Sequence, residues 1–412
     1  MSKLPEEWEE VKLSELGSFS KGKGISKSEI IDNGLPCIRY AEIYTDYDFV
    51  IKDFKSFISE EVAKNSVELK QNDILFAGSG ETVEDIGKSV AFINNCKAFV
   101  GGDTIVFTPK KNLLNSVFMS YQLNNNASRK QLRKLAQGNS VVHIYSKGLM
   151  TLKVNFPPLE EQKKIAEILS TVDQKIAFVE ENISQTEELK KGLRQELFCN
   201  GIGHSDFNDT EFGKRPESWK IEKLGDLTSL TVGGTPSTKI EEYWTPQEVP
   251  WLSSGEVNKK IVFDTDNMIS EEGLNNSAAK LVSKNSVLMG LAGQGKTRGT
   301  VAITETELST NQSVASILPS EDLDMYFIYH NLDSRYEEIR AMSTGVGGRS
   351  GLNLAILRSI KIALPPLEEQ KQIANILKIV DQKLEVLKDK KESFEKLKKG
   401  LMQKLLTGEV RV

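Results

Sequence analysis

The stretch with the strongest chemical connotation is Gly290-Leu291-Ala292-Gly293-Gln294-Gly295-Lys296-Thr297. It fits G-x-x-x-x-G-K-T, a pattern whose threonine opens a helix and whose amides hold nucleotide phosphates. The residues that follow point elsewhere. Arg298-Gly299-Thr300-Val301-Ala302-Ile303 reads as a strand, and no aspartate closes a later apolar strand to hold magnesium. The counterpart stretch, Ala77-Gly78-Ser79-Gly80-Glu81-Thr82, lacks the Gly-Lys pair. A P-loop ATPase is therefore the weaker alternative. A hairpin loop projecting Gln294, Lys296, Thr297 and Arg298 is the better reading. Such side chains suit phosphates and base edges, since Arg matches guanine and Gln matches adenine in the major groove.

Other candidates sit on similar ground. Asn311-Gln312, Arg349-Ser350 and Asn353 occupy polar, glycine-rich stretches of the second half. Lys21, Lys23, Arg39-Tyr40, Ser79, Lys88, His143, Tyr145 and Lys147 do so in the first. Each is weighed against an ordinary solvated loop residue, and His143 reads as a structural hydrogen-bonder. No catalytic constellation emerges: there is no G-x-S-x-G elbow and no carboxylate cluster for a nuclease metal. Asn155-Phe156-Pro157-Pro158 only imitates the Asn/Asp-Pro-Pro-aromatic motif of adenine methyltransferases. Cys37, Cys96 and Cys199 show no paired spacing, so neither disulfides nor zinc are indicated. The chain reads as a binder, not an enzyme, with no cofactor or metal of its own.

The elements that must position these loops are announced by a repeat. Pro157-Pro158-Leu159-Glu160-Glu161-Gln162-Lys163 returns 208 residues later as Pro365-Pro366-Leu367-Glu368-Glu369-Gln370-Lys371. Leu189-Lys190-Lys191-Gly192-Leu193 returns as Leu397-Lys398-Lys399-Gly400-Leu401. Each copy predicts one long amphipathic helix. Its seam runs through Leu169, Val172, Ile176 and Val179 in the first copy, and Leu377, Val380, Leu384 and Leu387 in the second. Steps of three and four make that a heptad seam suited to one partner helix, and the duplicate is the obvious partner. The prolines suit the first turn, the glutamates suit the positive helix end, and Asn200-Gly201 and Gly408 supply stops. About 40 residues at roughly 1.5 Å each make a rod on the order of 60 Å.

Lysines crowd the seam at Lys190-Lys191, Lys390-Lys391 and Lys398-Lys399. The expectation is that their heads snorkel outward while the stems pack; burial that fixes register is the alternative. Gly192 and Gly400 cost roughly 1 kcal/mol each against alanine. A close helix approach, a docking surface for a third chain, or tolerance near a helix end would each account for them.

Between the rods lie two globular segments. Residues 1–156 hold short β-rich runs at 73–77, 89–93 and 104–107, then a helical stretch at 117–137. Residues 201–364 replay that plan: Pro5-Glu6-Glu7-Trp8 with Leu13 returns as Pro216-Glu217-Ser218-Trp219 with Leu224. Leu35-Pro36-Cys37-Ile38 with Glu42 returns as Val249-Pro250-Trp251-Leu252 with Glu256. The expected fold is α+β: a head at 1–156, a helix at 157–200, a head at 201–364 and a helix at 365–412. Antiparallel pairing of the two helices in a coiled coil would relate the halves by a pseudo-twofold axis.

Charge and hydropathy set limits. The net charge is −5. Residues 1–156 come to +1, 157–199 to −3, 200–364 to −6 and 365–412 to +3. Phosphates of a DNA partner would thus be neutralised by local basic patches or by a further protein partner rather than by a basic surface. No apolar run spans a bilayer and the first twelve residues lack a signal core, which predicts a cytoplasmic protein with no membrane partner.

Pro-Pro-Leu-Glu-Glu-Gln before a long helix, placed centrally and C-terminally after divergent heads, resembles the DNA-specificity subunit of Type I restriction–modification enzymes. The resemblance covers essentially the whole chain. It includes the head-opening Pro5, Trp8, Leu13 and Pro216, Trp219, Leu224, and the Thr310-Asn311-Gln312 turn. The first head has Gly101-Gly102-Asp103 where the second has that turn, so the role of the turn is not carried over. The resemblance implies two target-recognition domains, each reading half of a bipartite site in double-stranded DNA. It implies rods that set the spacing and hold two methyltransferase subunits, and restriction motor-nuclease subunits that can join. S-adenosylmethionine and ATP then belong to those partners alone. The rival from another class is a coiled-coil scaffold with protein-binding heads.

Overall fold

The computed structural model describes residues 4–138, 141–293, 295–343 and 351–412. The chain divides into two compact units, residues 1–180 with 389–412, and residues 181–388. Each unit holds one head, the leading half of the long helix that follows that head, and the trailing half of the other long helix.

In the first unit the head is built on an antiparallel sheet ordered Gly17–Lys21, Thr104–Pro109, Ile74–Ala77, Ser89–Ala91. A second sheet runs Ser56–Ile58, Leu35–Ile38, Phe99–Val100, Val67–Glu68, with its central pair parallel. Ile74 to Ala77 are buried on both faces, which is why that run is continuously apolar rather than alternating. The helical stretch expected at 117–137 is two helices, Ser116–Asn124 and Asn126–Leu135. Asn125 breaks it by capping the second helix, its side chain accepting from Ser128 N at 2.9 Å.

The second head repeats this order with one strand more. Its main sheet runs Leu230–Val232, Val314–Ile317, Val287–Gly290, Val301–Thr304, Ile261–Val262. Its companion runs Asn267–Ile269, Val249–Leu252, Leu308–Thr310, Leu281–Val282. The hairpin Phe207–Thr210 with Gly213–Pro216 leads into this head. The fold is α+β, duplicated, as the repeat predicts.

The long helices are Leu159–Asn200 and Leu367–Leu405. Each starts behind its double proline; Gln162 and Gln370 donate backbone N–H to Pro158 and Pro366 at 3.0 Å. Past their ends the chain turns through Gly201 at φ 65° and Gly408 at φ 75°, a conformation that favours glycine. Within the first unit Lys398 meets Asp173 at 2.5 Å and Lys391 meets Glu180 at 2.8 Å. One number rises as the other falls, so the helices run antiparallel. Within the second unit Lys190 meets Asp381, and Lys388 approaches Glu187 at 3.7 Å, again antiparallel. Leu169, Val172, Val179, Leu377, Val380 and Leu384 are buried; Ile176 and Leu387 are half-buried.

Lys191, Lys390 and Lys399 are exposed, in keeping with the snorkelling expectation, but Lys190 and Lys398 depart from it. Lys190 and Lys398 keep only 18% and 17% of their side chains exposed, and their ammonium groups pair across the seam rather than reaching into water. The carboxylate opposite supplies what solvent would have supplied, so burial is tolerated.

Heads and helices share their cores. Ile165, Ala166 and Leu169 of one helix and Leu405 of the other pack with Trp8, Phe76, Phe107 and Phe118 in the first unit. Ile373, Ala374 and Leu377 with Leu197 and Phe198 pack against Trp219, Phe327 and Leu357 in the second. Among the described residues no helix is long and apolar enough to cross a membrane.

Candidate nucleic-acid interface

The candidate loops of each head are laced together by backbone hydrogen bonds at matching positions. In the first head Gly78 N donates to Asp103 O at 2.8 Å and Ile144 N to Gly78 O at 2.9 Å. In the second, Leu291 N donates to Ser313 O at 2.8 Å and Leu352 N to Leu291 O at 3.0 Å. Gly101 N to Ile38 O and Asn311 N to Leu252 O, both 3.0 Å, add the loop that follows the central strand. Three or four loops distant in sequence therefore meet on one rim of each head.

On the first rim, Lys21 and Lys23 are exposed, with Lys21 Nζ 3.5 Å from Asp103. Arg39 is committed inward: its Nε donates to Glu42 Oε1 at 2.8 Å, and its neighbour Tyr40 is half-buried. Glu42 is buried and also accepts from Ser56 Oγ at 2.5 Å. Ser79 Oγ lies 2.9 Å from His143 Nδ1, and Tyr145 stacks on His143 with ring centroids 6.3 Å apart. Tyr44 donates its hydroxyl to Ser79 O at 2.9 Å. Lys88 Nζ donates to Tyr44 O at 3.4 Å, and burial pushes its pKa down although Asp48 and Asp85 oppose that. Tyr145 and Lys147 present exposed faces, an aromatic plane beside a cation.

On the second rim, the Gly290–Thr297 stretch closes as a loop. Gly290 N donates to Thr300 O at 3.0 Å and Gly299 N to Gly290 O at 2.9 Å, and strand Val301–Thr304 follows. No helix opens at Thr297, so the amide cradle a nucleotide phosphate needs does not form. A Cβ on Gly290 would stand 2.4 Å from Thr297 O, which explains the glycine by close approach of two backbones. Tyr336 donates its hydroxyl to Lys296 O at 3.2 Å, and Arg340 donates to Gly295 O, which fixes the loop while leaving Lys296 exposed. Thr297 and Arg298 are half-buried. Asn311 is a turn-former, accepting from Ser313 N at 3.0 Å. Gln312 is exposed and held by Thr235 Oγ1 at 2.6 Å. Asn353 caps a helix by accepting from Ile356 N at 3.0 Å. Gln294, Arg349 and Ser350 lie outside the described residues.

Sequence reading missed what holds each head on its helix. Trp8 Nε1 donates to Glu161 Oε2 at 2.9 Å, and Trp219 Nε1 to Glu369 Oε2 at 3.1 Å. Gln162 Oε1 accepts from Asn115 N, and Gln370 Oε1 from Asp324 N, both at 2.9 Å. Asn115 and Asp324 are in turn the N-caps of head helices Ser116–Asn124 and Met325–Ser334. The Glu-Gln pair of the repeated motif is thus a clamp. Its glutamate takes the opening tryptophan and its glutamine caps the backbone of the head. Burial alone would raise the Glu161 carboxyl, but bonds from Arg411 and Trp8 outweigh it and hold the group below its usual range. Three turns on, Tyr121 donates its hydroxyl to Asp173 Oδ2 at 2.5 Å. The signal was present, since the tryptophans and the Glu-Gln pairs recur at nearly the same offset; only the contact between them was not legible.

Comparison with known proteins agrees with this architecture. The family model described as "Type I restriction modification DNA specificity domain" matches residues 5–188 and 216–396. The MjaVIII specificity subunit of Methanocaldococcus jannaschii is 28% identical over 100% of this chain and 94% of its own length. A putative MjaX specificity subunit from the same organism is 30% identical over 100% of this chain and 96% of its own. Among solved structures, the Type I S subunit from M. genitalium superposes with TM-score 0.66 at 16% identity, covering 98% of this chain and 97% of that one. A chain solved in work on complex assembly of the type I R-M system gives 0.56 at 16% identity, with full coverage of both. Two matched domains with a clamp and a rim apiece leave one assignment: the chain belongs to the family of Type I restriction–modification DNA-specificity proteins.

Proposed function

We propose that this chain reads a two-part site in double-stranded DNA, one half with each rim, for a Type I restriction–modification complex in the cytoplasm. The observation that carries the reading is the pairing of nearly identical helices with divergent heads: one scaffold, two specificities. Heads clamped on helices of fixed length make the helix pair a ruler, with roughly 3.4 Å of separation per unread base pair. The chain contributes recognition and no chemistry. S-adenosylmethionine and ATP act on its partners, the methyltransferase and the motor-nuclease subunits.

The helices also offer an outer face. Phe178 and Val386, and Leu189 and Leu397, are exposed at positions that correspond across the repeat. A Cβ on Gly192 or Gly400 would meet nothing within 4 Å. Large exposed apolar side chains beside bare helix backbone support docking of two methyltransferase subunits, one on each unit.

The test is to purify the chain with its methyltransferase subunits and sequence the sites they modify. A bipartite motif with a fixed unread spacer is expected, and one turn added to both helices should change the spacer and leave both half-sites intact. Modification indifferent to sequence would overturn DNA reading; an unchanged spacer would overturn the ruler.

A further inference from the structure

An apolar heptad seam does not by itself choose one register. Sliding one helix past the other by seven residues exchanges Val172 for Val179 and Leu377 for Leu384, so leucine and valine meet much the same surface again. Four residues in this seam do discriminate. Asp173 and Lys398 face each other at 2.5 Å with 18% and 17% of their side chains exposed. Asp381 and Lys190 face each other with 19% and 18% exposed. In both units these partners belong to one register, since 173 with 398, 180 with 391 and 190 with 381 share the same sum.

A slip of one heptad breaks this in either direction. One way, Asp173 would stand opposite Leu405, Asp381 opposite Leu197, and Lys190 opposite Lys388. The other way, Lys398 would stand opposite Ala166, Lys190 opposite Ala374, and Asp381 opposite Ile183. Each slip leaves one key paired, Lys398 with Glu180 or Asp173 with Lys391, and sets the other three against alkyl groups or a like charge, which the protein interior penalises far more than it rewards their pairing. Asp173 adds a third tie, because Tyr121 of the head bonds its other oxygen. Head, own helix and facing helix meet at that one carboxylate.

We propose that the pairs Asp173–Lys398 and Asp381–Lys190 are register keys, positioning residues that select one alignment of the two helices. The consequence for DNA rests on the ruler reading above: one heptad is about 10 Å of helix, or about three base pairs of spacer. The register itself does not rest on that reading.

The experiment uses the full chain with its three cysteines replaced. Glu180→Cys with Lys391→Cys reports the observed register. Glu180→Cys with Leu384→Cys, and Glu187→Cys with Lys391→Cys, report slips of one heptad and leave all four key residues in place. Leucine at all four key positions removes the keys and keeps the seam apolar. We expect cross-linking confined to 180–391 while the keys are present, and a slipped cross-link in at least a tenth of chains once they are gone. Exclusive 180–391 cross-linking without the keys would overturn the proposal. A second measurement holds if that variant folds poorly. Asp381→Leu alone should lower Tm by about 5 °C, and adding Lys190→Leu should regain most of it, a pair chosen because Tyr121 ties Asp173 to the head as well; additive losses would also overturn the proposal. Slipped cross-links with an unchanged spacer preference would leave the keys standing and remove the ruler.

Discussion

His330 holds the place in the second unit that Tyr121 holds in the first, six residues beyond the helix cap Asp324 as Tyr121 is beyond Asn115. The tyrosine bonds its aspartate; the histidine stops 3.8 Å short of Asp381, and neither ring nitrogen has a hydrogen-bond partner. Burial, with Arg194 and Lys190 nearby, pushes its pKa from 6.5 down to about 3, although Asp333 opposes that. It is therefore neutral in the fold and takes up a proton on unfolding below 6.5. The stability it contributes is complete above that pH and is lost as pH falls from about 6.5 toward about 3. His330→Tyr should remove this dependence. Relative to the parent, the variant should gain about 2 kcal/mol between pH 7.5 and pH 4.5, read from unfolding curves at both; an equal difference at the two pH values would refute it. Trp8→Phe keeps the ring and loses the bond to Glu161, so it should cost about 1.5–3 kcal/mol in the same assay. Neither role was readable from the one-dimensional pattern. The repeat showed that Trp8, Trp219 and the Glu-Gln pairs recur, but a side-chain bond spanning 153 residues has no local signature. Arg39 shows the converse: a cation in a polar loop looked available for DNA, yet Glu42 three residues on engages it.

At the scale of elements, the helices carry a destabilising feature with no counterpart inside the chain. Gly192 and Gly400 lie in helix interiors with open space where a side chain would go. Replacing both by alanine should stabilise the isolated chain by roughly 2 kcal/mol, measured by thermal unfolding. The same variant should bind its methyltransferase subunits less tightly in titration if the bare backbone admits a close neighbour; unchanged affinity would reduce these positions to tolerated glycines. Helix starts, stops and seam were legible because proline, glycine and heptad spacing act locally. The burial of Lys190 and Lys398 was not, since it depends on which carboxylate lies across the seam. The phosphate-loop pattern misled for the same reason. Its composition is local, but its chemistry requires a helix after Thr297, and a strand that pairs with Val287–Gly290 follows instead.

At the scale of the whole molecule, the two halves share a plan and differ in charge, +1 for residues 1–156 against −6 for 200–364. Two heads that read DNA on one scaffold would then draw unequally on phosphate contacts. The exposed candidate cations of the first rim are Lys21, Lys23 and Lys147, whereas the described part of the second presents Lys296 with Arg298 half-buried. Each phosphate neutralised on duplex DNA contributes a slope of about −0.9 to log K against log salt. A chimera carrying residues 5–156 in place of 216–364 keeps the helices and both clamps, because the grafted Trp8 and Asn115 can serve Glu369 and Gln370 as they serve Glu161 and Gln162. Assembled with the same methyltransferase subunits, it should modify sites whose two halves carry the same sequence, with the parental spacer. Its binding should weaken more steeply with salt, by about one in the slope, because the graft brings Lys21, Lys23 and Lys147 and removes Lys296 and Arg349. Sequencing the modified sites and titrating binding between low and moderate salt measure both. A chimera that folds and keeps the parental second half-site would show that recognition does not reside in the heads. An unaltered slope with an altered half-site would show that bases are read without a matching share of phosphate contacts.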